Sequence, residues 1–246
     1  MYSSVYDLKA FYDTRAGRVV RRVLQERIRT LWPDVRGLRV MGTGYATPYL
    51  RMFMEESERV FSMMPAGQGA HHWPRCEKEK NLVGLSLKGA LPLETNSIDR
   101  ILMIHDLEFS ENVHLDLSEI WRVLKSSGRI LVVVPNRAGL WAHADWSPFG
   151  QGTPYTVRQL CEHLRENLFV HERTEEALFM PPSRSSLFLK SAGFFERTGA
   201  RYVPIAAGVH MIEASKQLYA RADKGSGSRV RVGVPAIPAI ARTARS

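Results

Sequence analysis

The sequence predicts an α/β protein built on a doubly wound, mostly parallel sheet with helices on both faces. Three stretches carry that prediction. Residues 38–50, LRVMGTGYATPYL, pass from apolar Leu38, Val40 and Met41 through Gly42-Thr43-Gly44 into a segment where Ala46, Tyr49 and Leu50 take up helical spacing. Residues 101–104 are an apolar run that breaks off into His105, Asp106 and Glu108, as a central parallel strand does at its carboxyl end. Residues 129–134 are the clearest strand of all, closed by Pro135. Helical patterns separate these runs, and right-handed crossovers then make the sheet parallel.

Composition sets the limits. With 246 residues, 44% of them hydrophobic, the chain suits one large α/β domain with trimmings. No apolar run approaches the roughly 18 residues of a membrane span, and the first residues lack the apolar stretch of a secretory signal. Cys76 and Cys161 lie far apart and form no motif, which fits a reducing cytoplasm. The net charge of +9 points either to a plain basic protein or to an anionic partner or surface.

Residues 1–36 read as an N-terminal helical segment. Val19, Val20, Val23, Leu24, Ile28 and Leu31 make an apolar stripe, while Arg15, Arg18, Arg21, Arg22, Arg27 and Arg29 occupy the other face. A solvated face is the bland explanation of those arginines; a weak contact with an anionic surface or partner protein is the sharper one. No aromatic residue is interleaved with them until Trp32, which argues against nucleic acid. Residues 37–221 form the main domain. After the glycine turn a helix is expected over 49–58, then strands over 59–64 and 81–87. His71, His72 and Cys76 invite a metal reading, but adjacent histidines diverge and no second ligand cluster follows, so no metal is expected.

The spacing of Asp116 and Glu119 suggests a capping box for the next helix, with Leu117, Ile120, Trp121 and Leu124 as its buried stripe and Gly128 as its stop. Residues 136–156, rich in Trp, His, Gly and Pro, read as a lid or substrate wall beside the sheet's carboxyl end. A helix over 157–166, a strand within 169–180, a helix over 187–199 and a strand over 209–218 complete the domain. Residues 222–246 read as a flexible basic tail.

The stretch 97–141, SIDRILMIHDLEFSENVHLDLSEIWRVLKSSGRILVVVPNRAGLW, closely resembles the second half of a class I S-adenosylmethionine-dependent methyltransferase domain of the small-molecule branch. Glu119, Arg122, Val123, Leu124, Lys125 and Gly128 match that branch's helix end, with Ser126 and Ser127 in place of the usual Pro-Gly. The resemblance implies a Rossmann-like fold of the class I methyltransferase type and S-adenosylmethionine as cofactor. It places the cofactor against Gly42, Thr43, Gly44, Tyr45, Met63, Met64, Leu87 and His105.

The departures lie in the cofactor motifs. The family's acidic residue in the first strand is Val40 here, and its third motif glycine is Ala46. The ribose carboxylate falls at Met63-Met64 and the adenine carboxylate at Ser86-Leu87-Lys88. Each lost charge-assisted bond removes on the order of 1.5–3 kcal/mol, so micromolar or weaker binding is expected. A side chain at Gly44 is expected to fill the space where backbone meets ligand.

Two functions of different class follow. In the first, the chain is a methyltransferase acting on a small molecule. His105, Glu108 and His143 would then be the candidate bases or orienters, and Asn136, Trp141, Trp146 and Phe149 the substrate wall. In the second, the fold is retained without catalysis, as a binding or regulatory subunit, which the missing carboxylates favour. A dinucleotide dehydrogenase ranks last, because residues 61–69 hold no acid for the ribose.

Overall fold

The computed structural model describes residues 4–74, 80–202 and 206–217. Their strands form one seven-stranded sheet in the order β3-β2-β1-β4-β5-β7-β6. The strands are β1 (Arg39–Gly44), β2 (Arg59–Pro65), β3 (Val83–Ser86), β4 (Ile98–Ile104), β5 (Leu124–Pro135), β6 (Phe169–Ala177) and β7 (Val209–Lys216). β3, β2, β1, β4 and β5 pair in parallel, whereas β7 pairs antiparallel with both β5 and β6. The strand order runs outward from β1 through β2 and β3 on one side and through β4 and β5 on the other, so ligand chemistry is expected at the carboxyl ends of β1 and β4, at that switch point.

The helices are α1 (Val5–Asp13), α2 (Arg15–Leu31), α3 (Thr47–Leu50), α4 (Val113–Val123), α5 (Val157–Glu166), α6 (Ser186–Lys190) and α7 (Ala192–Tyr202). Thr14 both ends α1 and caps α2: its hydroxyl accepts from Gly17 N at 3.0 Å and donates to Phe11 O at 2.6 Å. α3 is one turn long and runs into a 3-10 turn over Arg51–Phe53, shorter than the helix expected there. α4 starts three residues before the expected capping box. Asn112 caps it by accepting from Leu115 N, while Asp116 accepts from Ser110 Oγ and Glu119 grips Arg122. α5 begins with a capping box made by Thr156 and Gln159.

The sheet buries one apolar layer on each face. Val40, Leu102, Ile104, Leu131 and Met211 pack toward α1 and α2; Met41, Ile101, Met103, Ile130 and Ile212 pack toward α4 and α5. The N-terminal helices therefore share the sheet's core. The end of α2 is fixed by Glu213, which is fully buried on β7 and accepts from Trp32 Nε1 at 3.0 Å while pairing with Arg129 and Arg173. The basic tail read at 222–246 lies outside the described residues, as does Cys76. No helix of the described residues is long and apolar enough to cross a membrane.

Candidate active site

The glycine turn and the end of β4 meet as the parallel register demands, with Gly44 paired to Ile104. Gly44 has φ +65, and Tyr45 N donates to Ile104 O at 2.7 Å. A Cβ at Gly44 would lie 2.3 Å from Ile104 O and 2.7 Å from Asp106 Cβ. The glycine is thus required by the approach of β1 to β4, and a side chain there meets the protein itself before it meets any ligand.

Beyond Ile104 the chain enters the left-handed region at His105, φ +53. The His105 side chain is completely buried. Its Nδ1 lies 3.2 Å from Glu108 Oε1, and Glu108 Oε2 accepts from Asp106 N at 3.1 Å. Its Nε2 lies 2.8 Å from the hydroxyl of Tyr12 on α1, which in turn accepts from the Tyr49 hydroxyl at 2.8 Å. This order of donors runs Tyr49 to Tyr12 to His105 Nε2, with the Nδ1 proton facing Glu108. Burial first, then the neighbouring Tyr49, push the Tyr12 phenol well above its ordinary range.

Gln68, in the loop after β2, ties the cover down. Its side-chain amide donates to His105 O at 2.8 Å, and its backbone carbonyl accepts from Val5 N at 2.9 Å. From the other side the long loop docks on the same strand end. Thr153 N donates to Glu108 O at 2.8 Å, and the Phe149 ring lies 4.8 Å from that of His105.

At the ends of β2 and β3, Met63 lines a small cavity of about 30 Å³ with Thr43, Lys88, Asp106 and Asp116. Lys88 Nζ pairs with Asp106 Oδ1 at 2.8 Å. Burial pulls its ammonium down, but Asp106 and Asp116 outweigh that and hold it above its usual range. The buried Thr43 hydroxyl, facing the same cavity, has no hydrogen-bond partner among the described residues.

These atoms test the cofactor that the resemblance implies. The left-handed Gly44 and the orphaned Thr43 hydroxyl suit a ligand at the strand ends. The space beside Thr43 is itself only about 30 Å³, but it shares Pro65, Lys88 and Asp116 with an adjoining cavity of about 270 Å³ that runs along Gln68, Leu87 and Asn112. Tyr12 and Gln68 cover His105, and Met63 and Met64 supply no carboxylate at the end of β2. As arranged, the strand ends offer room beside Thr43 and Lys88 but no carboxylate for the ribose, and His105 itself is covered.

Of the other residues singled out by the sequence, Tyr45 stacks on Tyr12 with ring centroids 5.6 Å apart, Met64 is buried in the core, and Leu87 is mostly exposed. His143 is exposed on its 3-10 turn. Asn136 holds the exit of β5, donating to Ala207 O at 2.8 Å, and Trp141 is fully buried with its Nε1 on Met180 O. Trp146 lines a cavity of about 500 Å³ between α1 and the long loop, with Arg184 stacked on its ring at 4.9 Å. His71 and His72 spend their Nδ1 atoms on the carbonyls of His72 and Pro74. Among the described residues, no group of three or more His, Cys, Asp or Glu side chains is placed to hold a metal ion.

Tyr12, Tyr49 and Gln68 escaped sequence reasoning, whereas Asp106 and Lys88 lie in the strand ends that the sequence marked. Tyr12 reads only as one more apolar position on α1, beside Phe11, and no local signal links it to a strand end 93 residues away.

Residues 40–132, from β1 through the core of β5, match the family model described as "Methyltransferase domain". The chain thus resembles a methyltransferase domain over that stretch, within a sheet of the Rossmann-like class I methyltransferase fold. No curated protein matches it. Solved structures agree on the fold. A Mesorhizobium loti S-adenosylmethionine-dependent methyltransferase superposes with a TM-score of 0.58 at 15% identity, over 78% of this chain and 96% of its own. A Thermotoga maritima methyltransferase, described as a possible histamine N-methyltransferase, gives 0.59 at 16% identity over 87% and 96%. The Haloferax volcanii complex of the Trm112 methyltransferase activator with a putative methyltransferase gives 0.59 at 16% identity over 85% and 97%. At these identities the likeness of this chain to each of them is one of fold.

Proposed function

We propose that the chain is a cytoplasmic S-adenosylmethionine-dependent methyltransferase acting on a small-molecule acceptor, and that the arrangement described is its closed form. The observation that carries this reading is the buried His105, held left-handed between Glu108 and Tyr12 where the glycine turn meets β4. Strain and a fully partnered imidazole at that strand end suit a group positioned for proton handling, with Glu108 fixing its tautomer. Two attachments would have to release for a ligand to reach it: the Tyr12 hydroxyl and the Gln68 bridge to α1. The parts would divide the work simply. α1 and the 136–156 loop exclude water, His105 accepts a proton at Nε2 once Tyr12 leaves, and Glu108 holds the Nδ1 proton.

The same two attachments favour a second reading, a methyltransferase-like binding or regulatory subunit whose crevice is permanently filled. One fold neighbour is a methyltransferase in complex with an activator protein, so subunit pairing has a precedent on this fold. Calorimetry on the whole chain separates the two. The enzyme reading expects micromolar or weaker heats with S-adenosylmethionine and S-adenosylhomocysteine. Gln68→Ala should tighten both about threefold or more, because a larger fraction of molecules is then open. Silence at millimolar ligand from both proteins, each shown to be folded, sinks the enzyme and leaves the subunit.

A further inference from the structure

We propose that the cavity between α1, α2 and the β1–α3 turn binds a small monocyclic aromatic acid, its carboxylate or phosphate held by Arg21 and Arg51. Naming this ligand as the methyl acceptor rests on the methyltransferase reading; the site itself does not.

The cavity measures about 160 Å³, close to the roughly 150 Å³ that accommodates a benzene ring in a protein interior. Its walls are the rings of Tyr12, Tyr45, His71 and Trp73, with Tyr45 lying 5.6 Å from both Tyr12 and His71. Stacked rings of that kind suit a flat apolar body. Arg21, half-buried, and Arg51, exposed, complete the lining. Arg29, Arg36 and Arg39, outside the cavity, are spoken for by Glu56, Asp34 and Glu58. Among the described residues, Arg21 and Arg51 have no ion-pair or hydrogen-bond partner. Two planar forks of donors at the mouth of an aromatic cavity match a carboxylate or phosphate better than any neutral group. Asp13 stands on the same wall, so the lining carries two cations against one carboxylate.

The cavity also gives a task to Arg21, one of the arginines on the basic face of α2. Arg21 belongs to a second, shallower cavity of about 330 Å³ on the outer face of α2, shared with Arg15, Arg18 and Arg22. That row extends the positive field outward from the mouth and would raise the local concentration of anions there. Inward, Tyr12 is common to the cavity wall and to the His105 bond. An acid lodged here therefore lies one side chain from the strand end where transfer is proposed.

The test uses the whole chain and three probes: benzoate, phenyl phosphate and benzyl alcohol, titrated by calorimetry or protein-observed NMR. Saturable binding of at least one acid is expected, with benzyl alcohol about tenfold weaker or more. Arg21→Gln and Arg51→Gln should each weaken the acid about tenfold, whereas Arg22→Gln, outside the cavity and acting only through the outer field, should weaken it no more than about twofold. No saturable binding of either acid overturns the site, and so does an equal loss in Arg22→Gln, which would mark a diffuse basic face. Competition of the acid by S-adenosylhomocysteine, with both weakened alike by Arg21→Gln, would give the arginines to a cofactor carboxylate and overturn the acceptor assignment. Acid binding without any binding of S-adenosylhomocysteine keeps the site and removes only the methyltransferase reading.

Discussion

The hydroxyl of Tyr12 lies 2.8 Å from Nε2 of His105, so the first helix of the chain closes directly on the end of the fourth strand. Both groups are buried, and Tyr49 supplies the hydrogen bond that leaves the Tyr12 proton facing the imidazole. Removing the hydroxyl leaves a buried ring nitrogen without a partner, at a cost of about 1–3 kcal/mol. Tyr12→Phe should therefore lower the melting temperature by roughly 2–10 °C. Tyr49→Phe should cost less, because Tyr12 keeps its bond to His105. Equal melting temperatures for all three proteins would refute the role of this bond.

Gly44 and Gly37 share a left-handed backbone, φ +65 and +68, but not an environment. A Cβ at Gly37 meets nothing within 4 Å, while one at Gly44 falls 2.3 Å from Ile104 O. Gly37→Ala should cost only the conformational penalty, about 1–2 kcal/mol. Gly44→Ala should lower the melting temperature at least three times as much, or fail to fold. Similar losses in the two variants would show that β1 and β4 are less closely apposed than described.

Glu213 is the anchor of α2. Its buried carboxylate joins Trp32, Arg129 and Arg173, and Arg173 also donates to Leu31 O at 2.9 Å. Truncation to Glu213→Ala strands two guanidinium groups and an indole N–H, at about 3–5 kcal/mol. Thermal unfolding should then begin roughly 6–20 °C lower. Arg173→Ala, a half-exposed partner, should cost no more than about 1 kcal/mol. The reverse ranking would place the tether elsewhere.

His210, buried on β7 and 3.4 Å from Glu176 Oε1, has its pKa pulled down to about 4 by burial. Below an ordinary histidine value the unfolded chain takes up a proton that the folded chain refuses. Stability from the neutral ring is therefore complete above about pH 6.5 and drains away as pH falls toward 4. Burial raises Glu176 instead, and a raised carboxyl works in the opposite direction, so the wild-type curve mixes the two. The difference between wild type and His210→Leu isolates the histidine. From denaturant unfolding, the stability of the wild type minus that of His210→Leu should fall as pH drops from 6.5 to 4, by on the order of 2–3 kcal/mol in total. Parallel curves across that window would contradict the burial of this ring.

The sequence alone determined the α/β class, most of the strands and the methyltransferase likeness, because each is written in local patterns. The run at 101–104 is apolar enough to be central, and its polar ending at His105 marks the ligand edge of a parallel sheet. The helix 157–166 could be bounded to the residue because Thr156 and Gln159 cap it from within the segment. Gly42-Thr43-Gly44 announced a turn, but only the packing showed that Gly44 answers to β4 rather than to a ligand. The tertiary structure alone decided what covers the strand ends. Tyr12, Gln68 and Phe149 converge on His105 from three separate segments, and side-chain contacts across 37–93 residues leave no trace in spacing or propensity. It also divided the arginines of α2, sending Arg29 to Glu56 and Arg21 to an aromatic cavity, since a helical stripe fixes which face a charge occupies but not what stands opposite it.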